Sequence, residues 1–197
     1  MTQLHYYLIN KPYEMLSQFT KEADHHRVLG ELYDFPPDVY PVGRLDRDSE
    51  GLLLLTNDKS LNHRLLDPTS GHERSYWVQV EGIPNDTALK QLRSGVDIRI
   101  NKKVYSTRKA KARVMDPPAE VQKRNPPIRY RASVPDSWLE LTLTEGKNRQ
   151  VRRMCAAVGF PVLRLIRHRI EGVKLSDLEG CTVRKVEASW LKSKIFG

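Results

Sequence analysis

The chain has 197 residues, with 33 lysines and arginines against 24 aspartates and glutamates, a net charge of +9 and a pI near 9.6. This length can bury the core of one large domain or two small lobes, and the longest apolar runs are far too short to span a bilayer. The strongly basic balance favours a polyanionic partner, most often nucleic acid. Because the N-terminus lacks the layout of a signal peptide, we expect a cytoplasmic protein.

The cysteine and histidine patterns favour neither a metal site nor a disulfide. Cys155 and Cys181 are isolated, which fits a reducing compartment and packing roles. The six histidines lack metal-ligand spacing and are better read as solvated or core side chains. The phosphate-binding and dinucleotide-binding glycine patterns are also absent. We therefore expect no metal and no cofactor.

The first forty residues are predicted to be mostly strand and loop. Residues 6–9 form a first strand, which Asn10-Lys11-Pro12 stops. Residues 15–19 are predicted to form a second short strand, and residues 28–33 about one helical turn. The prolines within residues 35–41 keep that segment extended.

The most distinctive stretch is a charged loop followed by four leucines. Leu52 to Leu55, bounded by turn residues, indicate a short strand buried on both faces. The preceding loop carries Arg44, Asp46, Arg47 and Asp48 between Gly43 and Gly51. A charged loop at the end of a buried strand is where a rigid scaffold often presents a reactive group. From these residues alone, a solvated loop of weak ion pairs is the alternative.

The middle of the chain alternates between helix and strand signals. Asn57 or Asp58 can cap a helix that ends near residue 66, and Asn85 or Asp86 can cap a second helix that ends before Gly95. Strands are predicted at residues 74–82, 96–98 and 110–114. Residues 116–127 contain four prolines and are predicted to be an insertion loop on one continuous sheet.

The last third is predicted to contain a clear alternating strand, a basic helix and a terminal helix. The predicted strands are residues 138–144, 161–166 and 172–175, and the predicted helices are residues 149–158 and 189–196. Because strands outnumber helices and mostly follow one another directly, the fold class is α+β. We expect a largely antiparallel mixed sheet flanked by a few helices.

The basic helix supplies a surface for an anionic ligand. Val151, Met154 and Cys155 share one face at helical spacing and should point inward. The flanks and the exposed side then carry Arg149, Arg152 and Arg153. The backbone N–H groups at the start of this helix also suit phosphate. Nucleic-acid contact is the interpretation we favour over a merely solvated basic face.

Two motifs carry a resemblance to a known family. Residues 43–58, GRLDRDSEGLLLLTND, and residues 145–154, EGKNRQVRRM, resemble the two signatures of the RsuA-type ribosomal RNA pseudouridine synthases. Residues 124–129 and 159–167 further resemble the RluE subgroup, which acts on 23S ribosomal RNA. Together the similar segments run from residue 8 to about residue 187. The resemblance implies the catalytic fold and the RNA-modifying activity of that family.

The resemblance also implies roles for individual residues. Asp46 corresponds to the essential aspartate, Tyr76 to the aromatic that stacks on the flipped uracil, and Arg152 to the arginine that pairs with the aspartate. Leu165 corresponds to the apolar residue beneath the base. Further substrate contacts are expected from the basic side chains near these positions: Arg44, Lys147, Arg149 and Arg153.

The organisation implied is a single catalytic domain over residues 1–197, an arrangement that allows two lobes around a central cleft. We expect no S4-like RNA-binding module before the first strand, so the proline-rich loop at residues 117–127 becomes a candidate for target choice. Three positions depart from the family pattern: Arg74 replaces a usual lysine, Lys147 a frequent arginine, and Glu171 a common glycine. No heptad or exposed apolar stripe is evident, so we expect a monomer.

Several alternatives stay open at the level of sequence. Asp46 could act covalently on the sugar C1′ or the uracil C6, or it could assist loss of the 2′ proton. The base that removes the final C5 proton could be Asp46 or Tyr76. A non-catalytic RNA-binding or ribosome-assembly factor is the second reading. An RNA hydrolase is a weaker third, because neither a metal cluster nor a histidine-based acid/base pair is evident.

Overall fold

The structure is a computed structural model, and it describes residues 3–128 and 133–197. The described residues form an α+β fold with mostly antiparallel strands, as predicted. The strands are β1 (Tyr6–Lys11), β2 (Tyr40–Pro41), β3 (Glu50–Thr56), β4 (Arg74–Glu81), β5 (Asp97–Ile100), β6 (Lys103–Ser106), β7 (Lys111–Met115), β8 (Asp136–Leu143), β9 (Val162–Ile170), β10 (Val173–Lys174) and β11 (Val183–Lys185). The α-helices are α1 (Lys59–Leu66), α2 (Asp86–Ser94), α3 (Gln150–Ala157) and α4 (Ala188–Phe196).

The chain divides into two compact units. The first unit comprises Met1–His72 and Arg167–Gly197, and the second comprises Glu73–Ile166. Among the described residues, no helix combines the length and apolar character needed to cross a membrane.

In the first unit, β1 lies between β3 and β11. It pairs antiparallel with β3 on one side and with β11 on the other, with Leu8 opposite both Leu54 and Arg184. Leu52 and Leu54 face a core built mainly from α1, α4 and residues near β10. Its buried members are Tyr6, Leu8, Val42, Leu52, Leu54, Leu61, Leu65, Ile170, Val173, Leu178, Leu191 and Ile195.

The opposite face of these strands is covered as well. Leu55 lies opposite Tyr7, whose ring centroid is 5.7 Å from that of Tyr33 and 5.1 Å from that of Phe35. All four consecutive leucines of β3 are at most 1% exposed. The prediction of a strand buried on both faces is therefore confirmed, and β3 is a rigid support for the loop that precedes it.

Helix α1 begins at a well-formed cap. The Asp58 carboxylate accepts hydrogen bonds from the backbone N–H groups of Ser60 and Leu61, both at 3.0 Å, and from the Tyr6 hydroxyl at 2.8 Å. Burial alone would raise the pKa of Asp58, but these donors and Lys192 outweigh it and lower the pKa below its ordinary value. Of the two predicted caps, Asp58 is the one that forms, and it ties α1 to β1.

In the second unit, β8 lies between β4 and β7, and both pairings are antiparallel. Helix α2 begins at an Asn85 cap, whose side chain accepts from the Ala88 N–H at 2.9 Å, and buries Ala88, Leu89 and Leu92. Strands β5 and β6 pair only with each other within the described chain, as a separate two-stranded sheet.

The structure corrects several predicted elements. Residues 15–19 do not form a strand; they contribute one isolated bridge, from Met15 to Arg27. The hydroxyl of Ser17 in this segment is instead hydrogen-bonded to Leu45, so the segment supports a loop rather than a ladder. Strands β6 and β11 were not predicted. Cys155 is buried as expected, but Cys181 is exposed, so its assignment as a packing residue was wrong.

Gly51, where β3 leaves the charged loop, tolerates no side chain. Its φ is +101°, and a Cβ there would lie 2.3 Å from the carbonyl oxygen of Arg167. We expect Gly51→Ala to lower the free energy of unfolding by about 3 kcal/mol or more, from backbone strain plus the clash. Urea unfolding measures this. Gly71→Ala is the matched control, because Gly71 also has positive φ but open space around its Cβ; equal losses in the two variants would contradict the clash.

Candidate active site

Asp46 lies in the loop between β2 and β3, which we call the Asp46 loop (residues 43–51). Its side chain is half-buried, and its backbone carbonyl accepts the Ser49 N–H at 3.0 Å, which closes a turn. Ser49 itself is buried. The loop therefore has an internal turn that holds the carboxylate at the start of β3.

The residue before Asp46 is fixed by a reciprocal pair of hydrogen bonds. The Ser17 hydroxyl donates to the Leu45 carbonyl oxygen at 2.8 Å, and the Leu45 N–H donates to the same hydroxyl oxygen at 3.0 Å. Both residues are buried. Because a buried pair of this kind satisfies both backbone groups of Leu45, this side of the loop has a defined position.

The residue after Asp46 is fixed by a buried lysine that sequence reasoning missed. Lys11, at the end of β1, is 0% exposed. Its ammonium nitrogen lies 2.7 Å from the carbonyl oxygen of Met15, 2.9 Å from that of Pro12 and 3.3 Å from that of Arg47. Three acceptors match the three N–H donors of a lysine. Lys11 thus joins β1, the turn after it and the Asp46 loop.

The electrostatics of Lys11 are dominated by its burial. Desolvation lowers the pKa of Lys11 to about 7, although four nearby carboxylates act to raise it: Glu50, Asp48, Asp46 and Glu14. A signal for this residue was present in the sequence. Tyr7, Ile9 and Lys11 alternate along one strand, so Lys11 continues an inward-facing row.

The two arginines of the Asp46 loop differ in their surroundings. Arg47 forms an exposed ion pair with Glu14, with 3.0 Å between its Nε and the carboxylate. Arg44 is also exposed, but no hydrogen bond or ion pair joins its side chain to the described residues. The substrate-binding role of Arg44 stays a prediction.

In the second unit, Tyr76 occupies the centre of β4, opposite Leu141 of β8. It is 9% exposed and shares its sheet face with Val78 and Val80, which are fully buried. Leu165 on β9 is also buried. Both side chains are thus buried in this unit, and their predicted contacts with a base stay predictions.

Arg152 lies on α3 and is half-buried, with its Nη1 atom 3.4 Å from the carbonyl oxygen of Val162. The helix begins at Gln150, one residue later than predicted, because Arg149 has left-handed φ and ψ. Val151, Met154 and Cys155 are buried as the helical spacing predicted. The pairing of Arg152 with Asp46 stays a prediction.

A buried carboxylate organises the segment that leads into α3. Glu145 accepts hydrogen bonds from the Tyr105 hydroxyl at 2.5 Å, the Arg108 N–H at 2.9 Å and the Gln150 side chain at 2.6 Å. Burial alone would raise the pKa of Glu145, but these donors outweigh it and lower the pKa. Gln150 also accepts the Lys147 N–H at 2.9 Å, so the turn has a fixed shape.

This turn presents the predicted basic residues in different ways. Lys147 and Arg149 are exposed, and the Lys147 ammonium lies 5.0 Å from the centre of the Tyr105 ring. The Arg153 guanidinium donates to the Asn148 side chain at 2.9 Å and to the Arg99 carbonyl oxygen.

Comparison with known proteins gives a consistent picture. Residues 5–157 match the family model described as RNA pseudouridylate synthase. The chain is 52% identical over 172 residues to "Ribosomal large subunit pseudouridine synthase E" of Xanthomonas axonopodis pv. citri (strain 306), covering 87% of this chain and 88% of the relative. It is 48% identical to a relative of the same name from Vibrio parahaemolyticus serotype O3:K6 (strain RIMD 2210633), covering 87% of this chain and 69% of that one.

A solved structure described as "Crystal structure of pseudouridylate synthase" is similar as well. It aligns with a TM-score of 0.78 and 26% sequence identity, over 99% of this chain and 75% of that chain. The similarity thus extends beyond the family-model match to nearly the full chain.

Proposed function

This chain belongs to the RNA pseudouridylate synthase family, and on that premise we propose that it isomerises a uridine of 23S ribosomal RNA to pseudouridine. The observation that carries the proposal is the 52% identity, over most of both chains, to a relative named for the large ribosomal subunit. The Asp46 loop suits the catalytic role proposed for it, because its backbone is fixed on both sides of the carboxylate by Ser17 and Lys11.

The reaction balances without a co-reactant. The N1–C1′ glycosidic bond breaks, the uracil turns, and a C5–C1′ bond forms while the proton on C5 leaves and N1 gains one. The atoms of substrate and product are the same. The chain must therefore supply only binding, a carboxylate and a route for one proton, which side chains alone can provide.

We assign the central role to Asp46. Its carboxylate acts covalently on C1′ or C6, or assists loss of the 2′ proton; the three routes predict different trapped species. Arg152 is assigned to orient that carboxylate and keep it ionised. Tyr76 and Leu165 are assigned to hold the uracil after it leaves the RNA stack, since a flipped base needs an aromatic platform and an apolar pocket.

The remaining assignments concern RNA binding, target choice, oligomeric state and location in the cell. Arg44, Lys147 and Arg149 contact the RNA backbone, with Arg153 supporting the surface on which they lie. The proline-rich segment at residues 117–127, between β7 and β8, is assigned to target choice. We expect a monomeric enzyme that acts in the cytoplasm on ribosomal RNA or on a large-subunit assembly intermediate.

The test is release of tritium from RNA labelled at uridine C5. We expect the purified chain to release label from 23S transcript or large-subunit particles, up to one equivalent per RNA, and none from 16S transcript. Each isomerisation must expel the C5 hydrogen, so the readout is specific to this chemistry. Tight binding to 23S RNA without release from any large-subunit substrate would instead assign the chain to a non-catalytic RNA-binding role.

A further inference from the structure

One strongly basic segment of this chain lies outside both signature motifs. Residues 98–115 contain seven lysines and arginines and not one aspartate or glutamate. Their charge of +7 compares with +9 for the whole chain. The basic residues are Arg99, Lys102, Lys103, Arg108, Lys109, Lys111 and Arg113. A polyanion would therefore be attracted to this segment.

This segment contains the hairpin of β5 and β6, which we call the arm (residues 97–106). Asp97 pairs with Ser106 and Ile100 with Lys103, and Asn101 and Lys102 form the two-residue turn. Both turn residues have positive φ, 48° and 67°, the pattern of a type I′ hairpin turn. The tip of the arm thus has a defined shape.

Five of the seven cations fall into two groups; of the other two, Arg108 lies 3.9 Å from the Glu145 carboxylate and Lys109 is exposed. Lys111 and Arg113 pair with Glu73 and Glu140, so much of their charge is balanced locally. At the arm, the side chains of Arg99, Lys102 and Lys103 are exposed and have no acidic partner within residues 3–128 and 133–197. Beside them Val104 is 64% exposed. An array of unbalanced cations on a narrow hairpin fits a backbone of phosphates better than an acidic protein surface.

The arm is tied to the second signature motif. The Tyr105 hydroxyl of β6 donates to the buried Glu145 carboxylate at 2.5 Å, and Arg153 of α3 donates to the Arg99 carbonyl oxygen of β5. Each strand of the arm is therefore held by one residue of the motif. The same carboxylate also orders the turn that carries Lys147.

We propose that the arm is an RNA-binding element that contacts the phosphate backbone of the substrate, with Glu145 as the residue that positions it. The proposal rests on the proposed function and extends it, because it adds Arg99, Lys102 and Lys103 to the residues that meet the RNA. Glu145 acts through Tyr105 and touches no substrate.

Lys102 offers a clear test, because one substitution can remove its charge without destabilising the turn. A left-handed φ of 67° suits glycine better than lysine, so Lys102→Gly should leave the free energy of unfolding equal or higher. It also removes one phosphate contact. We expect RNA affinity to fall about three- to ten-fold and the slope of log affinity against log salt to decrease by about one.

Lys103→Gln is a second variant with no backbone effect, and Lys90→Gln is the matched control. Lys90 is an exposed lysine of the same unit, on α2. We expect Lys103→Gln to weaken binding as Lys102→Gly does and Lys90→Gln to leave it unchanged. An equal salt slope in all three variants and the wild type would overturn the proposal.

Tyr105→Phe tests the positioning role of Glu145 by removing one hydroxyl. We expect KM for RNA to rise several-fold with kcat nearly unchanged, because the arm loosens while the reacting groups stay in place. A loss of stability with unchanged KM would show that the contact between Tyr105 and Glu145 only stabilises the fold.

Tritium release by the wild type separates failure of the arm proposal from failure of the proposed function. An inactive wild type contradicts the proposed function. An active wild type, with arm variants that bind RNA as the wild type does, contradicts only the role of the arm. If the arm variants bound large-subunit particles more weakly but bound protein-free RNA normally, the arm would contact a ribosomal protein. That result would also overturn the proposal.

Discussion

Asp46→Asn is expected to lower the rate of tritium release by roughly 10³-fold or more, because an amide can neither act as a nucleophile nor accept the proton. The substitution keeps the size and shape of the side chain. The contacts that fix the loop on both sides come from Ser17 and Lys11 to backbone groups, so they persist. RNA affinity and the free energy of unfolding should therefore change little, and the loss should lie in kcat.

Asp48→Asn is the matched control for this experiment. Asp48 lies in the same loop and is half-buried like Asp46. The negative charges of both aspartates act to raise the pKa of Lys11. We expect it to retain turnover within about ten-fold of the wild type, since only Asp46 is assigned to the reaction. Equal losses from the two substitutions would mean that the charge of the loop, rather than one carboxylate, is what matters.

Lys11→Met should damage both stability and turnover. The methionine fills the space but leaves the carbonyl oxygens of Pro12, Met15 and Arg47 without their donor. Each buried carbonyl that loses its partner costs about 1–3 kcal/mol, and relief of the desolvation of the ammonium offsets part of this. We expect the free energy of unfolding near pH 7 to fall by about 3 kcal/mol, and kcat to fall about 10²-fold as the Asp46 loop shifts.

The pH dependence of stability identifies the cause. The pKa of Lys11 is about 7 in the folded chain, against 10.5 ordinarily, so between these values the unfolded chain binds the extra proton. The contribution of Lys11 to stability therefore rises with pH across this window, and below it the charged lysine costs the folded state most. Lys11→Met removes this pH-dependent contribution to the free energy of unfolding. Between about pH 7.5 and pH 9.5, the wild type should gain roughly 2 kcal/mol relative to the variant.

Urea unfolding of both proteins over this window checks the prediction. Lys59→Met serves as the control, because Lys59 is an exposed lysine of the same unit at the start of α1. Its curve should run parallel to that of the wild type. Parallel curves for Lys11→Met as well would show that Lys11 is not charged differently in the folded and unfolded chains. Activity is best measured well below the unfolding midpoint, so that a loss of kcat reports the loop and not the folded fraction.

The features that the sequence predicted well have local physical causes. Four adjacent leucines determine β3, an aspartate before a helical pattern determines the cap of α1, and apolar spacing determines the buried face of α3. In each case the residues that decide the structure lie within a few positions of one another. The roles of Tyr76 and Arg152, by contrast, come from the family resemblance and not from any local pattern.

What the sequence did not predict depends on partners that the pattern of the segment itself does not show. Strand β11 is three residues long and is ordered by pairing with β1, and β6 is ordered by pairing with β5 across a turn without glycine. Lys11 follows Tyr7 and Ile9 in an inward-facing row, but that row does not show that carbonyl groups at residues 12, 15 and 47 converge on its ammonium. A polar residue at a buried position of a strand needs its distant partners to be explained.

The division of the first unit between the two ends of the chain has a consequence for biosynthesis. Gly51, at the base of the Asp46 loop, packs against Arg167, and β1 is completed on one side by β11. Both supports follow the whole second unit in the sequence, so they are synthesised after it. During synthesis the second unit is therefore complete before Gly51 and β1 gain these neighbours.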